Sequence, residues 1–159
     1  MKGIKTSDYD TALFANMRIA IVATRWNTFI VDSLLAGARS HLTANGISDD
    51  RIEVIYCPGA YEIPLTCQHV AATKKYHAII TLGAVIRGGT PHFEYVAGEC
   101  SRGVMRVSLD CGLPIAFGVL TVDNEQQALE RSGHGFGAEN KGEESAACVL
   151  DMLTVISRL

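Results

Sequence analysis

Leu82-Gly83-Ala84-Val85-Ile86-Arg87-Gly88-Gly89-Thr90-Pro91-His92-Phe93 joins the end of an apolar run to the start of a helical pattern through a pair of glycines. The stretch reads as a buried strand ending at Leu82, a turn, and a helix capped by Thr90. Pro91 then takes the first helical position, where a missing N–H costs nothing. The residue three past that cap is Phe93 rather than Glu or Gln, so no capping box closes the helix end. Backbone N–H groups around Gly89 and Thr90 are then free for an external anion, which the helix dipole favours. His92 stands beside them as a proton-transfer group. An anion turn with a neighbouring imidazole points to chemistry on a phosphorylated small molecule.

The alternation of strand and helix continues on both sides. Ile19 to Ala23 is an unbroken apolar run, short enough for a buried parallel strand. Trp26, Ile30, Leu34, Leu35, Ala38 and Leu42 follow with helical spacing until Asn45-Gly46 ends the helix. Ile52 to Tyr56 is a second strand, at an edge because it carries Glu53, and Tyr61 to Lys75 is helical with Pro64 in its first turn. The third strand runs from His77 to Leu82. Beyond the turn, Phe93, Val96, Ala97, Cys100, Val104 and Val107 mark a longer helix, and Pro114 to Leu120 the fourth strand. Asp123-Asn124-Glu125-Gln126 reads as a capping box opening a short helix that ends near Ser132-Gly133, with a glycine-rich loop from His134 to Asn140. Ala146, Val149, Leu150, Leu153 and Ile156 give the last helix one apolar face. Right-handed crossovers then produce a three-layer αβα sandwich, flavodoxin-like, with a four-stranded parallel sheet in the order 2-1-3-4. Residues 1–17 show no core periodicity and read as an N-terminal arm before a single domain over 18–159.

A chain of 159 residues suits one domain with one good core. Hydrophobic residues make up 48% and charged ones only 19%, so part of the apolar surface is expected in subunit contacts. The net charge of −3 and the lack of any basic run argue against nucleic acid as a partner. Five cysteines without a Cys-x-x-Cys pair read as reduced thiols of a cytoplasmic protein. No apolar run reaches the length of a membrane span or a secretory leader.

In an open parallel sheet the ligand lies outside the carboxyl ends of the strands, near the switch point. There the topology gathers Arg25 to Asn27, Pro58 to Glu62, Ala84 to His92 and Phe117 to Asp123. These segments resemble the lumazine synthase family of riboflavin biosynthesis. The likeness rests on Arg25-Trp26-Asn27-Thr28-Phe29-Ile30, Pro58-Gly59-Ala60-Tyr61-Glu62-Ile63-Pro64-Leu65 and the run from Leu82 to Tyr95. It continues through Phe117 to Thr121, Gln127 to Arg131 and Asn140-Lys141-Gly142, in family order over roughly residues 18 to 157. The resemblance implies condensation of 5-amino-6-(D-ribitylamino)uracil with L-3,4-dihydroxy-2-butanone 4-phosphate. The products are 6,7-dimethyl-8-ribityllumazine, phosphate and water, with no metal or redox cofactor. It also implies a homopentamer with sites between neighbouring subunits, which Phe117, Arg131 and Lys141 reach across. Some members stack pentamers into a shell, and assembly beyond the pentamer stays open.

The resemblance assigns proton transfer to His92. The helix dipole favours its neutral form and a bound phosphate its charged form, so the sequence leaves its protonation open. Gly89 and Thr90 would hold the phosphate, with Arg131 as a second clamp, although a cation in a last helical turn also suits the dipole. Trp26, where the family commonly has phenylalanine, would stack on the pyrimidine, or else be a core aromatic at a helix start. Ala60, Tyr61 and Glu62 would meet the ribityl chain; Glu62 also suits the dipole of its own helix. Ala84, Val85 and Ile86 would contact the pyrimidine. Phe117 would close the ring pocket or be strand core, and Lys141 would donate to a pyrimidine carbonyl or be a solvated loop lysine. His41, His69, His77 and His134 carry no ligand spacing. A non-catalytic flavin- or lumazine-binding paralogue is the competing reading. A flavin electron carrier is not, since Thr24 to Asn27 lacks the glycine or serine of a phosphate loop.

Overall fold

The computed structural model describes residues 9–159. Four parallel strands, β1 (Ile19–Thr24), β2 (Ile52–Cys57), β3 (Ala78–Ile86) and β4 (Ile115–Val122), form one sheet in the order β2-β1-β3-β4. Among the described residues, six α-helices accompany them: α1 (Thr11–Phe14), α2 (Thr28–Ala44), α3 (Ile63–Ala72), α4 (His92–Cys111), α5 (Glu125–Arg131) and α6 (Lys141–Ser157). This is the expected flavodoxin-like sandwich, with β2 and its Glu53 at an edge.

Every residue of β1 is buried, because successive side chains feed opposite layers. Ile19, Ile21 and Ala23 join Ile30, Leu34 and Leu42 of α2 and Leu150 of α6. Ala20 and Val22 join Ile63 and Cys67 of α3 and Cys100 and Val104 of α4. Burial pushes the Cys67 and Cys100 thiols up to about 12, so they stay un-ionised near neutral pH.

Three expectations need correction. The strand expected to stop at Leu82 runs on to Ile86, because β4 pairs with it from Ile79 to Ile86, although β1 leaves it at Leu82. Gly83 is a packing glycine inside that strand: a Cβ there would lie 3.1 Å from Thr24 Cγ2. Thr90 is not the cap of α4; Pro91 holds that place with no side-chain cap bond, and His92 is the first helical residue. The cap of α5 is Asn124, one residue later than expected. Its side chain accepts from Gln127 N at 2.9 Å, and the Gln127 side chain accepts from Asp123 N at 2.9 Å. Of the expected arm over 1–17, residues 1–8 lie outside the described residues, while Phe14 is fully buried in the α2 and α6 layer.

One side chain ties three elements together. Asn140 Oδ1 caps α6, accepting from Gly142 N at 2.9 Å and Glu143 N at 3.2 Å. Its Nδ2 donates to Ser33 O of α2 at 3.0 Å and to Ser132 O, just past α5, at 3.3 Å. Across the same loop, His134 stacks on Phe29 with ring centroids 4.4 Å apart, and its Nε2 lies 2.7 Å from Ser33 Oγ.

Candidate active site

Beyond Leu82, β3 and β4 continue as a two-stranded ribbon without β1 beside them. The missing neighbour opens a crevice at the point where the strand order reverses, the place such sheets use for ligands. A cavity of about 410 Å³ lies there. Ala84, Val85 and Ile86 form part of its lining from the ribbon, and Ala60, Tyr61 and Glu62 from the turn before α3. Trp26 and Asn27 enter from the turn after β1, and His92 from the start of α4.

Local geometry sets these groups in place. Asn27 adopts a left-handed backbone, φ 56°, and its amide donates to Ala84 O at 3.0 Å, tying the Trp26 turn to the ribbon. The indole lies against Gly59, where a Cβ would stand 3.0 Å from its Cε3. Trp26 is 67% exposed, so it is a wall of the cavity and not a core aromatic. Glu62 Oε2 accepts from Gly59 N at 3.1 Å at the start of its turn, and Glu62 also lines the cavity. His92 is exposed and makes no side-chain hydrogen bond among the described residues, leaving the imidazole available to a ligand.

Gly89 and Thr90 lie beside this cavity, in a shallow depression with Arg87, Gly88, Pro91 and Glu94. A Cβ at Gly88 or Gly89 would meet nothing within 4 Å, and neither glycine has a positive φ. Nothing inside the chain therefore demands glycine at either position. The main chain there is bare and open to whatever approaches from outside.

Phe117, Arg131 and Lys141 are not part of that cavity. They line a second depression on the far edge of the sheet, with Glu144, Ser145 and Cys148. Phe117 is 41% exposed and so is not strand core. Arg131 is exposed in the last turn of α5, its Nη1 donating to Gln127 O at 3.2 Å. Lys141 is not a solvated loop lysine either: it opens α6, with Nζ 2.9 Å from Glu139 and 2.8 Å from Glu144. Burial opposes its charge, but the two carboxylates outweigh burial and hold the ammonium above the ordinary lysine value.

The expected site residues thus fall into two groups. Eight of them share the cavity beside β3, with Gly89 and Thr90 adjoining, and the other three sit apart. Thr24, Asn27, Tyr95 and Val96 also line the cavity without having been assigned to it. Tyr95 was legible as the residue three past His92 on one helix face. Among the described residues, no three His, Cys, Asp or Glu side chains converge to hold a metal ion, and no helix is long and apolar enough to cross a membrane.

Fold and cavity together define a doubly wound α/β protein with a cavity at the switch point of its sheet. Within that class the assignment is specific. The sequence model of the 6,7-dimethyl-8-ribityllumazine synthase family matches residues 16–157, and the chain belongs to this family of riboflavin-biosynthesis enzymes.

Proposed function

We propose that the chain condenses 5-amino-6-(D-ribitylamino)uracil with L-3,4-dihydroxy-2-butanone 4-phosphate at sites completed by a neighbouring copy in a homopentamer. The observation that carries this reading is the division of the site. The cavity beside β3 holds an aromatic wall and a histidine, while the guanidinium and ammonium expected to engage the substrates stand on another face of the same chain. A second copy that brings its β4 edge to the first copy's cavity would unite them. The sparse charge of the chain and exposed Met105 and Leu109 on α4 support subunit contacts.

In this reading Trp26 stacks on the pyrimidine, and Ala84 to Ile86 hold its edge. Ala60, Tyr61 and Glu62 receive the ribityl hydroxyls. Gly89 and Thr90 hold the phosphate by main-chain N–H groups, and the neighbour's Arg131 closes on it in bidentate fashion. Phe117 of the neighbour covers the ring. Lys141 keeps one donor for a pyrimidine carbonyl after two are taken by Glu139 and Glu144. The amine attacks the ketone, and water leaves as the imine forms. Phosphate then departs with a proton lost from carbon, and the second nitrogen closes the ring with loss of water. His92 moves the protons, and orientation of the two substrates supplies much of the acceleration. Five free thiols support a cytoplasmic location.

Product absorbance after mixing both substrates tests the reading. A rate well above the protein-free background is expected, falling about a hundredfold or more in His92→Ala and about thirtyfold in Arg131→Ala. A rate no better than buffer, together with tight flavin binding, would replace the enzyme with a ligand-binding paralogue.

A further inference from the structure

We infer that Arg87 is the positioning residue of the phosphate turn, pinning both ends of the Gly88–Pro91 segment and masking two carboxylates that would otherwise face the incoming phosphate. The inference rests on the reading of that turn as the phosphate site. The backbone N–H of Arg87 donates to Val122 O at 2.9 Å, so the residue is fixed where the β3–β4 ribbon ends. Its side chain then spans the turn. Nη1 binds the Glu94 carboxylate in the first turn of α4, Nε donates to Asp123 Oδ1 at 3.0 Å just past β4, and Cζ lies 4.2 Å from the centre of the Phe93 ring. A planar guanidinium can serve two carboxylates along its edge and a ring on its face at once; a lysine ammonium cannot.

Glu94 suits the dipole of α4, but a carboxylate beside an anion turn competes with the anion the turn is built to hold. Asp123 adds a second negative charge from the β4 side. The hydrogen bond from Arg87 holds the Glu94 carboxyl below the usual carboxylate range and directs it to the guanidinium. Neither Gly88 nor Gly89 has a side chain to pack, and a Cβ at either would meet nothing within 4 Å, so the tether across the segment comes from Arg87.

The test compares Arg87→Gln, Arg87→Lys and Gly89→Ala by the KM of each substrate, the inhibition constant of inorganic phosphate, and thermal unfolding. Arg87→Gln should raise the KM of the butanone phosphate and the inhibition constant of phosphate about tenfold, leaving the KM of the pyrimidine within about twofold. Arg87→Lys should show a smaller rise confined to the same two values, and it carries the comparison if the glutamine variant does not fold. Adding Glu94→Gln and Asp123→Asn to Arg87→Gln should recover part of the phosphate affinity, because no charge is left to mask. Unchanged values in both Arg87 variants, or an equal rise for both substrates, would overturn the inference. If Gly89→Ala raises the butanone phosphate KM while the Arg87 variants do not, only the role of Arg87 fails. If none of the three does, the phosphate-turn reading fails with it.

Discussion

The cavity beside β3 has aromatic walls and a histidine, whereas the more open depression beside β4 holds a phenylalanine with two cations. Trp26, Tyr61 and Tyr95 remain 67%, 60% and 70% exposed although all three line one cavity. Rings so open cannot exclude water from a stacked pyrimidine by themselves. The β4 depression, about 370 Å³ and more open, has the opposite character: Phe117, Arg131 and Lys141 offer a cover and positive charge. Each region has what the other lacks. Under the proposed function the difference has a plain meaning: the fold of one chain supplies half-sites, and the working unit is a junction between copies.

Mixing variants is the strongest way to break this comparison. Subunits carrying His92→Ala and subunits carrying Arg131→Ala should each be nearly inactive. Co-assembled in equal amounts, they should regain about a quarter of the normal activity, since random neighbours restore one intact junction in about four. No recovery would mean that both residues act within one chain. Glycine substitutions sharpen the contrast next. Gly142→Ala, where a Cβ would stand 1.9 Å from Leu34 O, should destabilise the fold by about 3 kcal/mol or more in thermal or urea unfolding. Gly89→Ala, where a Cβ meets nothing, should leave unfolding unchanged and raise only the KM of the phosphorylated substrate, by about tenfold. The smallest effect is expected from Trp26→Phe, which keeps a flat apolar wall. The pyrimidine KM should rise by about twofold to threefold, with no change for the phosphorylated substrate.

The sheet order and both layers were legible because β1 is apolar from Ile19 to Ala23 and strands alternate with helices throughout. Gly83 misled for a physical reason. Glycine punctuates sequence, yet here it is needed for close packing against Thr24 in mid-strand, so the ribbon that floors the cavity was read as a turn. The cap of α4 was misplaced because Thr90 has the right chemistry but makes no cap bond. Phe14 was missed because one large side chain can anchor a segment that has no periodicity of its own. The residues of the β3 cavity were readable from topology and family likeness together. The separation of Phe117, Arg131 and Lys141 from them was not visible in residue types alone; it follows the resemblance, which has these three reach across to a neighbour, and the 2-1-3-4 order, which puts β4 at an edge.

Asn140 uses its oxygen as a cap and its nitrogen as a tie, and Gly37 leaves the space in which the amide sits. A Cβ on residue 37 would stand 2.5 Å from Asn140 Oδ1. Aspartate at 140 would keep the cap and lose the tie, and glutamine would carry both groups on a stem too long for the gap. In descent the two positions are therefore expected to change together: a residue larger than glycine at 37 should accompany loss of the asparagine at 140.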